Sequence, residues 1–102
     1  MAAKLPGVWE GRWEFAGSGG KCTARIEVEG KQTFKGTTVW FDTPAGDLND
    51  KFTGATLKDG KFSATEKGVD FEVTLSEDGA TMTGAWTTAV ASGPLLFKKK
   101  AE

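Results

Sequence analysis

The chain has 102 residues, a net charge of −1, 38% hydrophobic residues and 26% charged residues. That length suits one domain with one core, and neither fraction suits a disordered chain. Lysines and acids are interspersed, so no basic footprint for nucleic acid stands out. Histidine is absent, which removes the commonest metal ligand and the commonest general base at neutral pH.

The one cysteine, Cys22, permits no internal disulfide and, without histidine, argues against a zinc site. The opening from Met1 to Gly7 is too short and polar for a signal peptide, and no stretch has the length of a membrane-spanning helix. The expectation is a soluble monomer without metal, cofactor, nucleic-acid partner or membrane partner.

Alternation with a period of two runs through the chain, punctuated by glycine-containing turns. From Val8 to Phe15, one face carries Trp9, Gly11, Trp13 and Phe15; Glu10, Arg12 and Glu14 take the other. A turn is predicted at Gly17-Ser18-Gly19-Gly20. A second run then groups Cys22, Ala24, Ile26 and Val28, and Glu29-Gly30-Lys31 turns tightly. The third, Thr33 to Phe41, groups Phe34, Gly36, Thr38 and Trp40, and a long loop is predicted from Asp42 to Asp50.

The fourth run, Lys51 to Leu57, is ambiguous. Phe52, Gly54 and Thr56 share one face while Ala55 and Leu57 share the other, which points to a bulge partway. Asp59-Gly60 is a hairpin signal. Phe62, Ala64 and Glu66 share the inward face of the fifth run, before a turn at Lys67-Gly68. The sixth is the clearest: Val69, Phe71, Val73 and Leu75 alternate with Asp70, Glu72 and Thr74. Met82, Gly84 and Trp86 align in the seventh. Ala89 to Pro94 is predicted as a loop, and Leu95 to Lys100 as the last strand, with Leu95 and Phe97 inward.

Eight short strands in hairpin succession suit a meander. Mid-strand glycines at Gly11, Gly36, Gly54 and Gly84 suit a sheet bent sharply enough that no Cβ crowds the bend. The predicted fold is therefore all-β: one eight-stranded antiparallel up-and-down barrel, with the N-terminal segment as a short plug. A two-sheet sandwich is the alternative. Alternating connections put the tight turns at the base and the longer ones at the top, where a ligand mouth is expected with Asp42–Asp50 as a lid. The inward residues near that mouth are Trp13, Phe15, Thr38, Trp40, Phe52, Glu66, Phe71, Trp86 and Thr88. Trp9, Val28, Phe34, Leu75, Met82 and Phe97 are expected to fill the closed end.

Leu5-Pro6-Gly7-Val8-Trp9 resembles the opening of calycin-type, lipocalin-like barrels. The resemblance implies that Trp9 caps the closed end beside a basic residue of the last strand, Lys98 or Lys99. The same opening is similar to designed fluorogen-binding β-barrels. A second resemblance joins Gly7-Val8-Trp9-Glu10-Gly11, the stretch from Leu75 to Trp86, and Pro94-Leu95 to the β-rich accessory domain of bacterial serine hydrolases, which implies no catalytic residue here.

Among polar candidates, Glu66 lies on an apolar face near the mouth. Solvation at the strand end is the commoner fate of such a residue. Desolvation there raises the pKa and makes a base or hydrogen-bond partner. Thr38, Thr56 and Thr88 offer hydroxyls to a ligand or to their neighbours. Cys22 reads as a small buried hydrophobe, since no base is in reach by sequence. The leading function is binding of a small, flat, largely apolar or aromatic molecule between Trp and Phe faces. A structural or accessory module with a filled core is the alternative. An enzyme resting on Glu66 alone is disfavoured.

Overall fold

The computed structural model describes residues 5–43, 46–66 and 68–100. Eight strands follow one another: β1 (Gly7–Phe15), β2 (Ser18–Val28), β3 (Thr33–Thr43), β4 (Gly46–Lys58), β5 (Lys61–Glu66), β6 (Val69–Leu75), β7 (Thr81–Thr87) and β8 (Ser92–Lys99). Each pairs antiparallel with the next, and β8 returns to β1 from Trp9↔Lys99 to Trp13↔Leu95, closing the barrel. Closure leaves no free edge along that seam.

Alternation fills the inside as the sequence indicates. Phe71, Val73 and Leu75 of β6 are buried while Asp70, Glu72 and Thr74 are exposed. Trp9, Ile26, Phe62, Met82, Leu95 and Phe97 are almost wholly buried. The rings of Phe52, Phe62, Phe71 and Phe97 form a chain of contacts with centroids 5.8 to 6.3 Å apart, edge to face or tilted. This phenyl cluster occupies the middle of the barrel.

Curvature is carried by glycines that admit a neighbouring backbone. A Cβ on Gly11 would stand 1.6 Å from the Leu96 carbonyl oxygen, one on Gly84 would stand 2.0 Å from that of Glu72, and one on Gly36 would stand 1.9 Å from that of Arg25. Gly36 also leaves room for the Phe52 ring. Gly54 does a different job. It sits at φ +66 with open space around it, and the chain reverses its faces there. Phe52 and Ala55 are therefore both buried, while Thr56 points outward and offers nothing to the interior.

Several predicted boundaries shift. The expected loop from Asp42 to Asp50 is instead a hairpin, with β3 reaching Thr43 and β4 starting at Gly46; the tip, residues 44–45, lies outside the described residues. The segment expected as a lid loop is thus paired strand, with Trp40↔Leu48 and Thr43↔Gly46. The first turn is Ala16-Gly17, both at positive φ, which frees Gly19 and Gly20 to pair with Glu14 and Trp13. The last connection is shorter than expected because β8 starts at Ser92. Val28, expected inside the closed end, is 61% exposed as the final residue of β2.

The base is sealed as the calycin resemblance implies. Leu5 is fully buried, and its carbonyl accepts a hydrogen bond from Trp9 Nε1 at 2.9 Å. Lys99, not Lys98, supplies the basic partner. Its Nζ lies 4.9 Å from the Trp9 ring centroid and donates to the Pro6 carbonyl. The plug is described from Leu5 onward; residues 1–4 lie outside the described residues.

Gly11→Ala tests the curvature account. The added methyl cannot coexist with the Leu96 carbonyl, so the variant is expected to lose about 3 kcal/mol of stability in urea unfolding. An unchanged unfolding midpoint would show that β1 and β8 do not approach as described.

Candidate ligand-binding site

Opposite the sealed base, the barrel opens into a depression of about 520 Å³. Its wall is built from Trp13 and Phe15 of β1, Trp40 and Thr43 of β3, Leu48 and Asp50 of β4, Gly68 and Val69 at the start of β6, Trp86 of β7, and Thr88, Val90 and Ala91 of the β7–β8 connection. A second depression, on the outer wall, runs among the outward side chains of β5–β7, including Lys61, Thr65, Asp70 and Glu72. Those are the solvated faces of the strands, so the mouth is the stronger candidate.

Two tryptophans of the rim are held by the same device. Trp13 is paired with Gly20 across β1–β2, and its Nε1 donates to the Phe41 carbonyl of β3 at 2.8 Å. Trp86 is paired with Gly93 across β7–β8, and its Nε1 donates to the Glu14 carbonyl of β1 at 3.0 Å. A Cβ on Gly20 would stand 2.2 Å from the Phe41 oxygen, and one on Gly93 would stand 2.0 Å from the Glu14 oxygen. Each indole thus crosses a glycine to reach the backbone of the strand beyond. The two rings meet edge to face, with centroids 6.3 Å apart, and Phe15 packs against Trp86 at 5.9 Å.

Below Trp40 sits a polar trio. Trp40 Nε1 donates to Thr38 Oγ1 at 3.0 Å, and Thr38 Oγ1 lies 2.9 and 2.7 Å from the two carboxyl oxygens of Glu66. Thr38 and Glu66 are buried, and every buried polar side-chain atom among the described residues has a partner. Thr38 has one proton to give, so it donates to ionised Glu66 and accepts the indole N–H. Once protonated, Glu66 can donate back. Loss of hydration pushes the Glu66 pKa up to about 7; donation from Thr38 and the nearby Trp40 N–H opposes this, and the charge of Asp50 adds to it. Burial also pushes the Cys22 thiol well up, with Glu66 contributing, so Cys22 is held as the thiol.

Of the residues predicted near the mouth, Trp13, Phe15, Trp40, Trp86 and Thr88 line the depression. Thr38 and Glu66 belong to the trio beneath Trp40. Phe52 and Phe71 lie in the phenyl cluster and are not among the lining residues. Thr88 turns inward on its own loop: its Oγ1 accepts from the Ala91 N–H at 3.0 Å. Glu66 is buried, against the commoner expectation of a solvated strand end. Asp50, Leu48, Val69 and Val90 were not picked out from sequence. Asp50 and Leu48 fall in the segment that reads as a loop, and Val90 is 93% exposed. Among the described residues, no group of three or more His, Cys, Asp or Glu side chains could hold a metal.

No protein-family model matches the sequence, and no curated protein matches it. Solved structures do. The chain is similar to a redesigned β-barrel, with a TM-score of 0.78 and 15% identity over 99% of this chain and 95% of that one. It is also similar to a mutant of the fluorescent protein UnaG, with a TM-score of 0.59 and 10% identity over 100% of both chains. At these identities the likeness is one of fold: a small, calycin-like, up-and-down eight-stranded barrel. The resemblance to the serine-hydrolase accessory domain finds no support among them.

The Glu66 pKa sets a pH dependence. The folded value, about 7, lies above the ordinary 4.5, so between these the folded chain keeps a proton that the unfolded chain releases. The Glu66 contribution to stability is therefore fullest below about pH 4.5 and is lost as pH rises through 7. In Glu66→Gln this decline should disappear, leaving the variant more stable than the parent at alkaline pH by on the order of 2–3 kcal/mol. Denaturant unfolding across the pH range reads it, and parallel curves for the two proteins would contradict the buried carboxyl.

Proposed function

We propose that this barrel binds a small, flat, largely apolar molecule at its open mouth. The observation that carries the reading is the contrast between the two halves of the interior. The lower barrel is occupied by its own phenyl rings and sealed by Leu5 and Trp9. The upper end presents Trp13, Phe15, Trp40 and Trp86 around a depression of about 520 Å³. That volume suits a drug-sized ligand held mainly by apolar contact. Trp13, Trp40 and Trp86 are themselves buried, with their indole nitrogens bound within the protein, so what they offer the mouth is apolar ring surface.

The match to a redesigned barrel supports reading the chain as an engineered barrel. The match to a fluorescent protein shows the same barrel in a protein with an optical function, which suits this reading. We read the chain as a binder and not an enzyme. Glu66 is already engaged by Thr38, and the chain has no histidine to act beside it. The packed phenyl cluster favours a second reading, a structural module with no ligand.

Titration with a flat hydrophobic dye separates the two. The binding reading predicts saturable quenching of tryptophan emission, weakened about tenfold in Leu48→Ser through loss of apolar contact at the rim. A response that never saturates, or none at all, favours the structural module.

A further inference from the structure

The mouth has a polarity as well as a shape. Trp13 Nε1 is spent on the Phe41 carbonyl, Trp86 Nε1 on the Glu14 carbonyl and Trp40 Nε1 on Thr38. The Thr43 hydroxyl donates to the Gly46 carbonyl, and that of Thr88 points to the Ala91 carbonyl at 3.3 Å. Each side-chain donor on the described wall is therefore occupied from within the protein. The charged side chain on that wall is Asp50, half-buried, and no lysine or arginine among the described residues lines it. Glu66 lies close enough beneath for the two carboxyl groups to act on one another.

An anion entering this mouth would meet aromatic rings and carboxyl groups, with no free side-chain donor among the described lining residues to receive it. A flat cation would meet ring faces that attract it and a carboxylate that can pair with it. From this arrangement we infer that the mouth selects a flat aromatic cation, its ring system against Trp13, Trp40 and Trp86 and its charged nitrogen toward Asp50. This deepens the proposed binding role and rests on it. The groups facing Glu66 are Cys22 from β2, Thr38 and Trp40 from β3, and Asp50 from β4. None of them carries positive charge, so a bound cation supplies the missing partner. Cation binding accordingly strengthens as pH rises through about 7 and Glu66 ionises.

Three tricyclic probes of nearly equal size, each substituted on the central ring, test the inference: aminoacridine (cationic), hydroxymethylanthracene (neutral) and anthracenecarboxylate (anionic). Affinities are read from tryptophan quenching at low and high salt. The cation should bind about tenfold tighter than the neutral probe, and the anion weakest. The cation's advantage should shrink with salt and shrink in Asp50→Asn. Equal binding of cation and neutral probe, or an advantage that neither high salt nor Asp50→Asn reduces, overturns the charge selection while leaving the apolar mouth in place. Absence of saturable binding by all three removes the binding role itself.

Discussion

The upper barrel depends on one local interaction used twice: an indole crossing a glycine to hydrogen-bond the backbone of the strand beyond. Trp13 spans Gly20 to reach β3, and Trp86 spans Gly93 to reach β1. Each bond ties three strands together, and that of Trp86 crosses the seam where β8 meets β1. Neither glycine can be replaced without a Cβ entering the space of the bond. The same bonds fix the ring orientation at the rim, so the shape of the mouth follows from the closure of the sheet. A rim held in this way is preorganised, which lowers the ordering cost of binding.

Below the rim, the interior divides by chemistry. The phenyl cluster makes an apolar column, closed at the base by Trp9, whose indole N–H is satisfied by the Leu5 carbonyl. Above it, Thr38, Trp40 and Glu66 form a closed relay whose polar atoms satisfy one another. A buried carboxyl is tolerated there because Thr38 and the indole N–H compensate part of its lost hydration, and because it can hold its proton near neutral pH. This relay sets the floor of the mouth and gives the site its acidic character. Asp50, on the neighbouring strand, raises the cost of ionising Glu66 and makes the pair sensitive to whatever sits above it.

Much of this was legible in the residues. β6 alternates without exception, so its inward set was read directly, and the three rim tryptophans fell on the right face at the right end. The bulge in β4 was visible as a conflict between two faces, although its consequence for Thr56 needed the positive φ of Gly54. The hairpin from Asp42 to Asp50 was misread because Asp, Asn, Gly and Pro signal turns. Its residues from Gly46 to Asn49 are exposed, so the segment shows no apolar alternation. Gly19 and Gly20 were read as turn residues for the same compositional reason. Their place in β2 follows from what Trp13 requires, and the matching spacing of Trp86 and Gly93 was the clue in the sequence. The burial of Glu66 was not readable locally, because its partners come from β3, far along the chain.

The four tryptophans divide the barrel, three at the rim and Trp9 at the base, and each indole N–H has its own hydrogen-bond partner. Their indole N–H resonances, followed by NMR during titration with a flat hydrophobic dye, therefore report where the dye sits. A ligand at the mouth shifts the signals of Trp13, Trp40 and Trp86 together and leaves that of Trp9 in place. Movement of Trp9 to the same extent, or four unmoved signals at saturating dye, would contradict the location of the site.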